Sequence, residues 1–163
     1  MTSQGTKGGM SRIGLVVVVL ALVAVAFALQ TFFCPCARLP GGHLLGDEIA
    51  EPVSDWSFAN AVPLCQVEVQ ALLPHSVNLN CMASGGRLYL SCANCEGKRW
   101  SRTALVNPDV RLRVGDAVYP VTVTRVEDPA ELDVAWQARA QKVGQSADDR
   151  PPSGWWSFRV QSR

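Results

Sequence analysis

The sequence predicts a mainly β, α+β fold: an N-terminal transmembrane helix followed by a small antiparallel β-barrel with two helices. Three observations carry this. Ile13 to Leu29 form a run of 17 residues with no charged or strongly polar side chain. Beyond it, short stretches alternate apolar and polar residues with a period of two and are separated by Gly and Pro, the pattern of half-buried strands joined as antiparallel neighbours. Two further stretches carry helix start and stop signals instead.

The chain has 163 residues, 48% apolar and 18% charged, with a net charge of +1. Setting aside the first 33 leaves about 130, enough for one domain with its own core. High apolar content with so little net charge excludes disorder for most of the chain. Fifteen basic against fourteen acidic residues create no strong field, so nucleic acid is not an expected partner. The positive excess is local. Residues 1–33 carry Lys7 and Arg12 and no acid, whereas the rest holds thirteen basic and fourteen acidic residues.

As a helix, Ile13–Leu29 spans about 25 Å, or about 31 Å if continued to Phe33, against a hydrocarbon core of about 30 Å. It is apolar on every face, unlike a surface helix of a soluble domain. Phe32 and Phe33 suit the interfacial zone, and lipid is the expected partner of this helix. Lys7 and Arg12 ahead of the run predict a cytoplasmic N-terminus and a C-terminal domain outside the cytoplasm, in a single-pass protein. Ala26-Phe27-Ala28 also has the small-x-small form of a signal-peptide cleavage site, and that reading exports the domain as well. The expected organisation is therefore a cytoplasmic tail (1–12), a transmembrane helix or signal-anchor (13–33), a juxtamembrane connector (34–63) and the barrel domain (64–163).

The elements follow in order. Pro40, Gly41-Gly42, Pro52 and Pro63 punctuate an irregular stretch that Trp56 and Phe58 are expected to dock onto the core. Val67 and Val69 alternate with Gln66, Glu68 and Gln70, a first strand ended by Pro74. Val77, Leu79 and Cys81 alternate with Ser76, Asn78 and Asn80, a second. Gly85-Gly86 is a hairpin turn, after which Arg87–Ser91 returns as a third. Lys98–Val106 reads as a short helix stopped by Asn107-Pro108-Asp109. Val110, Leu112 and Val114 alternate with Arg111 and Arg113, Gly115-Asp116 turns the chain, and Val118–Val126 follows, with Pro120 marking an edge or bulge. Asp128-Pro129-Ala130-Glu131 is a helix start with a capping box, and Gly144 a stop. Trp156, Phe158 and Val160 alternate in a last strand. Short turns between consecutive strands imply antiparallel pairing, and closure into a barrel removes exposed edges.

Six cysteines occur, at 34, 36, 65, 81, 92 and 95. Outside the cytoplasm they oxidise where geometry allows, and six permit fifteen connectivities. Cys92-Ala93-Asn94-Cys95 is the one C-x-x-C. It ends a strand rather than opening a helix in a βαβ unit, and Glu96 stands where a haem-attachment motif needs His. Structural thiols, a local disulfide, or half of a zinc site completed by Cys34 and Cys36 remain as readings. His43 and His75 have no Asp or Ser at a recognised catalytic spacing, and His75 reads as a turn histidine. No G-x-S-x-G, P-loop or G-x-G-x-x-G occurs.

Gly85 to Val126 runs turn, strand, Lys98-Arg99-Trp100, helix, Asn107-Pro108-Asp109-Val110, strand, turn, strand, then Asp128-Pro129-Ala130-Glu131. This resembles the split β-barrel flavin-binding proteins of the pyridoxamine 5′-phosphate oxidase-like group, nearest the deazaflavin-dependent nitroreductases. Those carry a Trp on the short helix seven residues before the Asn of an Asn-Pro-x-Val element, as Trp100 and Asn107 are spaced here. The resemblance implies a homodimer with FMN or the deazaflavin coenzyme F420 at the subunit interface. It places the cofactor phosphate on Ser91, Lys98 and Arg99, with Arg102 one turn on, and the ring against Trp100 or Tyr89. Lys98 and Arg99 open a helix, where free N–H groups already favour an anion. The activity implied is that of a flavin- or deazaflavin-dependent oxidoreductase, with a hydride passing between cofactor and a small acceptor. A second reading is an exported, non-enzymatic binding or envelope module that keeps the barrel without the cofactor. Cys92–Gly97, with its Glu96, stands where the family carries a basic segment.

Overall fold

The computed structural model describes residues 12–33, 40–146 and 148–163, with the side chains of residues 30–33 outside that description. Lys7, Cys34, Cys36 and the side chains of Phe32 and Phe33 thus lie outside the described residues. The elements are α1 (Arg12–Phe33), β1 (Asp47–Glu48), β2 (Cys65–Val69), β3 (His75–Ser84), β4 (Arg87–Cys92), α2 (Arg99–Val106), β5 (Asp109–Val114), β6 (Ala117–Arg125), α3 (Pro129–Val143) and β7 (Trp156–Ser162). Two short 3-10 turns, Ser57–Ala61 and Cys95–Gly97, complete them.

α1 has 22 residues, about 33 Å of helix. Its Arg12–Leu29 window has a mean hydropathy of 2.8 and none of it is buried. It is long and apolar enough to cross a membrane.

Six strands close on one another in the order β6-β5-β2-β3-β4-β7 and back to β6, every pair antiparallel. The two-residue β1 adds a parallel edge to the start of β6. The period-two pattern directs this assembly. In β5, Val110, Leu112 and Val114 are buried, while Arg111 and Arg113 lie on the outer face. Gly85 and Gly86 have φ of +56° and +78°, the two left-handed positions that a two-residue hairpin turn needs. Pro120 lies within β6, and the closure shows how it is tolerated. Its carbonyl accepts from the Arg163 N–H at 3.2 Å, so its missing N–H lies on that same side, where β1 has ended and β7 has not yet paired.

The barrel is solid. Val67, Leu79, Leu90, Leu112, Val121 and Phe158 are among the side chains filling it. One end is closed by Trp56, whose N–H donates to Gly86 O at 3.0 Å and whose ring meets Tyr119 at 5.1 Å. Trp100 closes the other, 5.2 Å from the Phe158 ring. α3 covers the outer face of β3 and β4 through Ala135, which meets Met82, Tyr89 and Val126 in a second apolar cluster. Asp128 caps α3 by accepting from the Glu131 N–H at 2.9 Å. The expected capping box is replaced: the Glu131 carboxylate accepts from Arg159 at 2.9 Å and from the Tyr89 hydroxyl at 3.2 Å. Arg159 stands on β7 across from Tyr89, so Glu131 is drawn to a cation rather than to its own backbone.

The stretch expected to be a connector is packed onto the barrel from residue 41 onward. Gly41 exchanges two backbone hydrogen bonds with Ser76, at 2.8 and 2.9 Å, and Leu44, Trp56 and Ala59 are buried. Two disulfides form, Cys65–Cys81 and Cys92–Cys95.

Candidate functional site

The ends of β2, β4 and β6 and the starts of β3, β5 and β7 meet at one end of the barrel, and α2 lies across it. Its buried face is Trp100, Ser101 and Ala104. Trp100 needs an apolar seat, and the barrel's open end supplies it. The Ser101 hydroxyl ties the helix start down by donating to the Cys95 carbonyl, and it also reaches Lys98 O at 3.0 Å. Cys95 is in turn fixed by its disulfide to Cys92 and by its N–H to Gly154 O at 3.1 Å. At 100° per residue, burying 100, 101 and 104 turns Lys98, Arg99, Arg102, Leu105 and Val106 outward, and all five are exposed.

Lys98, Arg99 and Arg102 make no side-chain hydrogen bond or ion pair among the described residues. Other arginines are engaged: Arg111 and Arg159 on buried or half-buried carboxylates, Arg125 over the Trp156 ring. Three unpartnered positive charges are thus gathered at the start of α2. They are felt nearby. Burial and then the Arg99 cation hold His75, at the start of β3, below the ordinary histidine value.

The predicted site residues separate into two groups. Lys98, Arg99 and Arg102 share the exposed face. Ser91 and Trp100 are only 2% exposed each. The Ser91 hydroxyl lies on the outer face of β4, 3.9 Å from the Met82 sulfur. Trp100 belongs to the core, and its indole N–H is buried without a partner among the described residues. Tyr89 is also buried, with its hydroxyl on Glu131, and burial followed by that carboxylate raises its pKa. The donor set on α2 suits a phosphate; the aromatic side chain of α2 itself, Trp100, is turned into the core.

Cys92 and Cys95 are joined to each other, and among the described residues no group of three or more His, Cys, Asp or Glu side chains gathers to hold a metal.

A polar cluster that the strand pattern conceals lies on the outer face of β2 and β5. Glu68 is fully buried. Its carboxylate accepts from the Leu44 N–H at 2.7 Å, Arg111 at 2.8 Å and Gln70 at 3.2 Å, and lies 3.1 Å from His43 Nδ1. Arg111 also donates to Leu44 O at 3.0 Å. Every oxygen has donors, which makes this a fastening for residues 43–48 rather than an open site. A pocket of about 220 Å³ between α3 and the Ser57–Ala61 turn is lined by Asn60, Ala83, Ala138, Gln141 and Lys142. Two of its polar side chains are occupied: Lys142 Nζ donates to Ala59 O at 2.9 Å and to Cys81 O, and Asn60 pairs with the Ala83 backbone. Burial lowers the Lys142 pKa.

No protein-family model and no curated protein matches the sequence. Solved structures do match in shape. A conserved hypothetical protein from Mycobacterium tuberculosis superposes with a TM-score of 0.52 at 15% identity, over 72% of this chain and 86% of that one. A candidate pyridoxamine 5′-phosphate oxidase from Listeria innocua gives 0.51 at 13%, over 64% and 87%. A candidate 5-nitroimidazole antibiotic resistance protein from Bacteroides thetaiotaomicron gives 0.51 at 14%, over 69% and 82%. The closed six-stranded barrel with α2 across its end is therefore the split-barrel fold of pyridoxamine 5′-phosphate oxidase-like proteins.

Proposed function

We propose that this chain is a membrane-anchored split-barrel protein that binds a flavin-type cofactor, FMN or F420, by its phosphate at the α2 end of the barrel. The observation that carries the reading is the set of three unpartnered cations on one exposed helix, in a barrel of the fold shared with a candidate pyridoxamine 5′-phosphate oxidase. Arg99 and Arg102 offer forked donors to phosphate oxygens and Lys98 a point charge. Trp100 supports the site from beneath by seating α2, whereas Ser91 faces Met82 on the outer face of β4. A bound flavin would supply two-electron chemistry, and the chain would bind and orient it. A second copy would complete the ring's surroundings in a homodimer. α1 crosses the membrane with Arg12 on the cytoplasmic side, so the barrel lies outside the cytoplasm.

The test is titration of the full chain in detergent with each cofactor, followed by absorbance and fluorescence. Binding tighter than about 10 μM, weakened at least about tenfold (1.4 kcal/mol) by Lys98→Ala with Arg99→Ala, is expected. Absence of binding to both refutes the reading and selects the second one, an exported non-enzymatic module. That alternative is favoured by one observation: Ser91, Tyr89 and Trp100 are all buried in the fold of the single chain.

A further inference from the structure

The four most exposed large apolar side chains of the barrel's α2 end are Leu72 (99% exposed), Leu73 (61%), Leu105 (48%) and Val106 (88%). They belong to two segments that meet there. Leu72 and Leu73 form the turn between β2 and β3. Leu105 and Val106 end α2, just before β5, whose Val110 pairs with Val69 at the end of β2. Single exposed leucines are ordinary, but a rim of four at one end of a domain is not.

The tether to α1 arrives at the same end. Gly41 pairs with Ser76, four residues from Leu72, and Phe33 closes α1. Six residues lie between Phe33 and Pro40, and at full extension they reach about 24 Å. A helix crossing the membrane therefore keeps this end of the barrel within that distance of the bilayer. The charge is also of the right sign. Lys98, Arg99 and Arg102 share the exposed face of α2 with Leu105 and Val106; of the acids at this end, Asp109 is paired with Arg163 and Glu96 is exposed beside Lys98, whereas at the far end Asp116 and Arg113 pair with each other. Apolar side chains bordered by cations are what an anionic bilayer surface accepts.

We propose that Leu72, Leu73, Leu105 and Val106 dock the barrel onto the lipid surface, with the α2 cations at the level of the headgroup phosphates. The inference rests on the membrane-anchor half of the proposed function; because it sets the α2 cations against headgroup phosphates, lipid and cofactor phosphate compete for them. It sets the barrel upright, with α2 toward the bilayer and the β3–β4 and β5–β6 turns away from it.

The test uses the full chain in nanodiscs of phosphatidylcholine and phosphatidylglycerol, one copy per disc, so that a second copy cannot supply the shielding. Cys34 and Cys36 are changed to serine. A nitrobenzoxadiazole dye is then attached through Leu72→Cys or, as the distal reference, Asp116→Cys. Both positions are solvent-exposed, so neither label disturbs packing. Docking predicts blue-shifted emission at position 72, with quenching by nitroxide-labelled acyl chains at least about threefold stronger than at position 116. Adding Val106→Asp and Leu73→Asp should return position 72 to water-like emission. Equal, water-like emission at both positions, in chains that resist carbonate extraction, overturns docking and leaves the anchor standing. Release of the chain by carbonate overturns the anchor and docking together.

Discussion

Replacing Arg111 by Met keeps most of the side chain's volume and removes its charge from a fully buried carboxylate. Arg111 Nη1 lies 2.8 Å from Glu68 Oε2, and Glu68 has no exposed surface. Removing one partner of a buried ion pair costs about 3–5 kcal/mol, because the other charge stays desolvated. At about 0.05–0.15 kcal/mol per residue, a domain of this size is stable by roughly 6–18 kcal/mol, so the loss is a large share. It corresponds to a fall in Tm of about 10–25 °C. The structure also fixes the repair. Glu68→Gln keeps an acceptor for the Leu44 N–H and removes the stranded charge. The double variant Glu68→Gln with Arg111→Met should therefore recover at least about half of the loss. Thermal melts of the full chain in detergent, followed by circular dichroism, measure all three variants. The reasoning fails if Arg111→Met costs less than about 1 kcal/mol, or if the double variant is no better than the single.

The disulfide between Cys65 and Cys81 closes a loop with a sequence separation of 16, so Cys65→Ala with Cys81→Ala should lower stability by about 3 kcal/mol in urea unfolding; unchanged stability would contradict that. His75 is held below its ordinary value of 6.5 when folded, so the unfolded chain binds the proton more readily. Its contribution is present above about pH 6.5 and is lost as the pH falls through the folded value, and His75→Gln should flatten the Tm profile between pH 7 and 5. Parallel profiles for His75→Gln and the parent would count against this assignment.

The strands and helices were legible because each buries one face: the alternation at Val67, Leu79 and Val110 and the start at Asp128-Pro129 are local signals. Lys98, Arg99 and Arg102 were singled out through the family resemblance; their exposure follows from the single buried face of the short α2, which they lie off. Glu68 was not. In sequence it is the polar member of an alternating strand, and its burial depends on residues 43–48 folding over it from 24 positions away. Arg111 reaches it only because β5 lies beside β2, a neighbour relation that local pattern does not encode. Ser91 and Trp100 show the converse. Their spacing matched a motif, but whether a side chain on α2 or β4 faces solvent or the core is decided by what α2 and α3 cover. Glu131 had two partners within reach, and only the position of Arg159 on β7 chose between them.

Among the described residues that follow α1, the first to hold the barrel is Gly41, through its two hydrogen bonds to Ser76, and the second hold is the fastening of residues 43–48 by Glu68 and Arg111. Any pull on α1 must travel through them in that order. Two backbone bonds yield at low force, whereas the buried ion pair behind them must be dragged into water before the strands feel the load. The barrel is therefore guarded by a weak link backed by a strong one. Slack taken up at Gly41 would leave the inner pairing of β2 and β3 undisturbed, so a load entering from the N-terminal side would reach the barrel strands only after the ion pair had given way.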